Sequence, residues 1–113
     1  ADGIALRNVR TDRVEPAVAA MLGNNPFSTT ASSTTVTVTE NNHGRTSGDT
    51  VRFRNVQGSP GGVAFTGYEN SSGFSITVTT TNKYTFTLGS TPSITEEAGG
   101  PTVTAGPVTI TPW

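Results

Sequence analysis

The chain has no cysteine, and it has one histidine, one tryptophan and one methionine among 113 residues. Without thiols it can form neither disulfide staples nor thiolate metal sites, and the redox compartment leaves no trace in it. The lone histidine, His43, has no second His, no Cys and no clustered carboxylates to work with. Charge is also scarce: charged residues make up 13% of the chain and the net charge is −1. The seven basic residues are scattered and leave no footprint for nucleic acid. No apolar run approaches the roughly 20 residues that a membrane-spanning helix needs. Residues 1–22 lack a continuous apolar core, so no cleaved leader is expected there. Hydrophobic content, at 32%, is low for a globular domain. The length suits one domain, and its core must be small. Stability is therefore expected to lean on oligomerisation or on a larger partner surface.

Thr, Ser, Gly and Asn fill the gap, and they are ordered. TTVTVTE runs from Thr34 to Glu40, GDTVRFRNV from Gly48 to Val56, and FSITVTTTNKYTFTL from Phe74 to Leu88. Val36 and Val38 alternate with Thr35, Thr37 and Thr39, and Val51 and Phe53 with Thr50, Arg52 and Arg54. Phe74, Ile76 and Val78, then Tyr84, Phe86 and Leu88, alternate in the same way. A period of two places every second side chain on one face of a strand. One face is apolar; the other is a carpet of threonine, whose branched carbon suits the pleat while its hydroxyl stays wet. Phe74 to Leu88 is expected to form a hairpin around a loop of three to five residues. Val63 to Tyr68 is a less regular strand, and Thr102 to Thr111 a last strand interrupted at Gly106-Pro107. Ser28 to Ser33 is a polar lead-in, and Gly89 to Pro101 a loop.

The expected fold is all-β: a small antiparallel barrel or sandwich, with an N-terminal arm carrying one short helix and an extended C-terminal tail. Residues 1–27 form the arm, 28–88 the β core, and 89–113 a loop with the terminal strand. Pro16 suits a first helical turn, Val14, Val18, Met21 and Leu22 share one helical face, and Gly23 is placed to stop it, giving a helix over 16–22. So short a helix must dock on the β core or on another subunit. Ile4 and Leu6 suit a short extended segment. Arg7, Arg10 and Arg13 form a modest cluster, either a solvated arm or a contact for an acidic neighbour. Trp113 is expected to plug into a neighbouring surface.

The chain offers little chemistry. His43 is read as pinning its turn through a backbone bond, with Gly44 at positive φ. Asp49 is read as accepting loop N–H bonds. Ser59 lies in no nucleophile elbow, and Gly58, Gly61 and Gly62 match no phosphate loop. Glu96 and Glu97, adjacent in sequence, point to opposite faces if extended and make a poor acid–base pair. Asn70-Ser71-Ser72 fits a glycosylation sequon, which matters in a secretory pathway alone. No catalytic, cofactor or metal residue is assigned, and no cofactor is expected.

The pattern TTVTVTxxxHGxxxGDTVxFxNV, followed by FxITVxxxNxYTFTL, resembles a small β module repeated in tailed-bacteriophage virion proteins. That module is similar to the β-barrel half-domain beside the catalytic cysteine domain of ubiquitin-activating enzymes. The matching positions are Val36, Val38, His43, Gly44, Gly48, Asp49, Val51, Phe53, Ile76, Val78, Asn82, Tyr84 and Phe86. The resemblance implies a structural, non-enzymatic virion protein. Its leading form is a capsid decoration (cement) protein on the outer head surface, made in the host cytoplasm. Binding the assembled lattice alone would stabilise it by mass action. The expected partners are the major capsid protein or other virion subunits, with a homotrimer favoured and no nucleic acid or membrane. A neck, tail or fibre component is the alternative, and a carbohydrate- or host-surface-binding module is the alternative of another class. The arm and tail residues Ile4, Leu6, Arg7, Arg10, Arg13 and Trp113 are the expected partner contacts. Deleting residues 1–25 is expected to leave a folded body that no longer attaches.

Overall fold

The computed structural model describes residues 20–108. Nine strands lie in them: β1 (Ala20–Met21), β2 (Phe27–Thr30), β3 (Ser33–Thr39), β4 (Thr50–Arg54), β5 (Phe74–Ser75), β6 (Thr77–Thr80), β7 (Lys83–Thr87), β8 (Glu96–Ala98) and β9 (Thr104–Gly106). They form two antiparallel sheets, ordered β1-β9-β4-β5 and β6-β7-β3-β2-β8. The all-β antiparallel fold is as the alternation predicts, and it takes the form of two facing sheets.

The period of two becomes rows of side chains across the strands. On the larger sheet, Val78, Tyr84, Val38, Phe27 and Ala98 are register neighbours and face inward. The next row, Thr77, Thr85, Thr37, Ser28 and Glu97, faces outward. On the smaller sheet, Val51 and Phe53 are fully buried while Arg52 and Arg54 face away from the core. Aromatic rings join the two layers. Phe53 meets Phe27 edge-on at 5.1 Å and Phe86 at 5.1 Å, and Phe74 lies 4.4 Å from Phe86. Such contacts each add about 0.5–1.5 kcal/mol beyond the burial of area.

The run from Phe74 to Thr80 is two strands rather than one. Phe74 and Ser75 pair with β4, and Thr77 to Thr80 pair with β7. Between them Ile76 is buried, with its backbone bonded to Gly48 and Asp49. The chain thus changes sheet at Ile76 and closes one side of the sandwich. The β6–β7 loop is tighter than expected, with Thr80 paired to Lys83. A register shift between Val78 and Thr80 restores the parity that puts Val78 opposite Tyr84.

Other expectations are corrected. Ala20 and Met21, expected to be helical, pair as β1 with Ala105 and Thr104. Residues 16–19 of that expected helix lie outside the described residues. Met21 is 66% exposed, so it is no core anchor of a helix face. The polar lead-in contains β2, anchored by buried Phe27 and by Thr29, whose hydroxyl donates to the Ile94 carbonyl at 2.7 Å. Val63 to Tyr68 is not a strand. The chain folds back in 3-10 turns at Pro60–Gly62 and Phe65–Gly67, held by buried Tyr68, whose hydroxyl donates to the Pro60 carbonyl at 2.7 Å. The expected 89–101 loop contains β8, an edge strand on β2. The last strand is short: β9 ends at Gly106, because Pro107 has no N–H to continue the ladder.

Candidate functional site

Three polar features stand out among the described residues. The first lies where β3 runs into the loop before β4. Glu40 is buried, and so is the side chain of Arg45, each 6% exposed. Glu40 Oε1 accepts from Arg45 Nε at 2.9 Å and from the Tyr84 hydroxyl at 2.7 Å, and Oε2 accepts from Arg45 Nη2 at 3.1 Å. Arg45 Nη2 also donates to the Ala105 carbonyl on β9 at 3.3 Å, which ties the loop to the opposite sheet. The guanidinium carbon stands 5.9 Å from the centre of the Tyr84 ring. Burial, and then the Glu40 charge, push the Tyr84 phenol well above its ordinary range.

His43 closes this knot. Its Nε2 meets the Thr80 carbonyl at 2.7 Å, its Nδ1 accepts from the Arg45 N–H at 2.9 Å, and its ring meets Tyr84 edge-on at 5.2 Å. A carbonyl accepts and cannot donate, so these partners fix the neutral ring with its proton on Nε2. Both nitrogens are occupied, as are both oxygens of Glu40. The cluster braces the sandwich, tying the loop to both sheets. Asp49 accepts from the Thr46 N–H at 2.9 Å, the turn role expected of it.

The second feature is the hydroxyl face of the larger sheet. A hollow of about 400 Å³ opens there, lined by Asn24, Asn25, Pro26, Ser28, Thr37, Thr39, Lys83 and Glu97. Lys83 Nζ donates to Thr39 Oγ1 at 2.8 Å. Glu96 and Glu97 do take opposite faces: Glu97 lines the hollow, while Glu96 accepts from the Gly61 N–H at 2.6 Å and is half-buried. The third feature is the arginine pair of β4, Arg52 and Arg54.

The expected contact residues Ile4, Leu6, Arg7, Arg10, Arg13 and Trp113 lie outside the described residues. The sequence reading missed the Glu40–Arg45–Tyr84 knot, whose members are far apart in the chain or look like ordinary loop charges. It also passed over Arg52 and Arg54 as mere outward positions, although two like charges two residues apart on one strand were legible as a cationic face. Among the described residues, no group of three or more His, Cys, Asp or Glu side chains could hold a metal ion.

No protein-family model matches the chain, and no curated protein matches it. Among solved structures, the chain is similar to the phage phi92 endosialidase, with a TM-score of 0.57 and 26% identity over 75% of this chain. It spans 11% of the length of that protein, so the likeness is to one module of a much larger chain. The more specific resemblance to the ubiquitin-activating-enzyme half-domain finds no counterpart in these matches. What the comparison supports is coarser: this all-β fold is shared with a part of a phage protein.

Proposed function

We propose that the chain is a structural β module of a bacteriophage virion, working by adhesion between subunits and placed in the neck, tail or fibre apparatus. The observation that carries this reading is the likeness to one module of the phage phi92 endosialidase. The likeness favours the neck, tail or fibre reading over capsid decoration, which rests on the sequence pattern alone. The activity of the endosialidase is not carried over, because the match spans so little of that chain. The buried polar knot agrees with a scaffold role, since its ionisable groups are spent on one another.

Quantitative mass spectrometry of purified particles tests this proposal. A neck, tail or fibre component should be present at a small fraction of the copy number of the major capsid protein. Near-stoichiometric abundance would return the assignment to head decoration, and absence from washed particles would sink the virion reading altogether.

A further inference from the structure

β4 alternates so that Val51 and Phe53 enter the core while Arg52 and Arg54 emerge on the outer face of the smaller sheet. After β9 ends, the chain lends them main-chain carbonyls. Arg52 Nη1 donates to Val108 at 3.2 Å, and Arg54 Nη2 donates to Pro107 and Val108 at 3.0 Å each. These bonds leave donors over: Arg52 Nε and Arg54 Nη1 are shielded from water and have no acceptor. Idle buried donors of this kind are uncommon and costly. Among the described residues, the carboxylate that forms an ion pair is Glu40, and its partner is Arg45. The two guanidiniums also oppose each other: desolvation, and then the Arg52 charge, lower the Arg54 pKa. The surroundings extend the face, because Met21, Thr104 and Arg54 are register neighbours across β1, β9 and β4. Met21, on the edge strand, is 66% exposed.

We propose that this outer face docks a carboxylate-bearing segment of a neighbouring polypeptide, with Arg52 and Arg54 gripping an acidic side chain and Met21 meeting an apolar one. Three observations select that occupant. Among the described residues neither arginine has a carboxylate counter-ion, and a docked carboxylate supplies one. The planar fork of a guanidinium matches a carboxylate in two-point geometry. Among the described residues the cationic surface is two residues long, on a chain of net charge −1, whereas a nucleic-acid strand is held along a stripe of basic residues. Both side chains keep some exposed surface beside the shielded Arg52 Nε and Arg54 Nη1, and the carboxylate meets them there.

The test uses the full chain labelled with ¹⁵N and follows the arginine Nε–Hε resonances while a short acetylated Glu-rich peptide is added. Two of these resonances should shift and saturate. R52Q and R54Q should each weaken the peptide by roughly tenfold, and salt at about 0.5 M should weaken it further. No shift in the wild-type chain would overturn the proposal, even if the variants fail to fold. Equal binding by R52Q/R54Q would overturn it as well. Saturation by inorganic phosphate at the same concentration would make the face a small-anion site, and tighter binding of a single-stranded oligonucleotide would make it a nucleic-acid site; either result defeats the peptide assignment. Because binding is read on the isolated chain, failure here leaves the virion reading untouched.

Discussion

At the scale of single residues, the molecule is decided by a few polar groups in a small apolar core. Removing one member of the Glu40–Arg45 pair would leave the other charge buried, which typically costs about 3–5 kcal/mol, a large share of the 5–15 kcal/mol that holds a domain together. The tyrosines give a sharper readout. The chain has two, Tyr68 and Tyr84. Burial, and then the Glu96 charge, push Tyr68 up to about 12, and Tyr84 is raised as well. The native state therefore keeps phenol protons that the unfolded chain gives up near its ordinary pKa of about 10. Stability is fully present below that pH and declines as pH rises from about 10 towards 12. Absorbance at 295 nm should show no phenolate step near pH 10 in the folded protein. The step should appear together with loss of the circular dichroism signal, or near pH 10 in urea. A normal native titration near 10 would mean that neither ring is held as described.

At the scale of elements, the strands follow the alternation and the connections follow glycine and tight contact. Gly61 shows the difference. It has φ +65, and an added Cβ would lie 2.8 Å from the side chain of Thr29, the buried hydroxyl of β2. Gly58 shares the left-handed backbone, at φ +74, but an added Cβ there meets nothing within 4 Å. Gly58→Ala should cost about 1–2 kcal/mol for the backbone alone. Gly61→Ala should cost about 1–3 kcal/mol more from overpacking. Urea denaturation of the two variants checks this, and equal midpoints would show that Thr29 yields without cost. The elements missed in the sequence share a physical cause. β1, β2 and β8 are short, and AM, FSTT and EEA carry no clean alternation. They are strands because β9, β3 and β2 offer them partners, not because of their own pattern. Val63 to Tyr68 failed in the other direction: the chain folds back there in 3-10 turns, with Tyr68 buried and Phe65 44% exposed.

At the scale of the whole molecule, the described body includes β1. The Leu22 N–H donates to the Val103 carbonyl at 3.1 Å, and the Asn25 N–H to the Gly100 carbonyl at 3.0 Å. A chain beginning at Ala20 should melt cooperatively. One beginning at Pro26 loses an edge strand and these bonds, and it should be less stable by about 2–4 kcal/mol. Paired thermal melts decide it. Identical melting of the two truncations would show that β1 contributes nothing, and would restore the boundary at residue 27 that the sequence suggests.

The sequence by itself determined the all-β class, the inward and outward sides of β3, β4 and β7, and the turn roles of His43 and Asp49. These depend on a period of two and on local bonding, which need no knowledge of distant residues. Tertiary structure alone decided the change of sheet at Ile76, the pairing of the short strands, and the meeting of Glu40 with Arg45 and Tyr84. It also left Arg52 and Arg54 with no carboxylate counter-ion among the described residues. Each of those outcomes depends on which distant segment arrives alongside, and a linear pattern carries no distance between its parts.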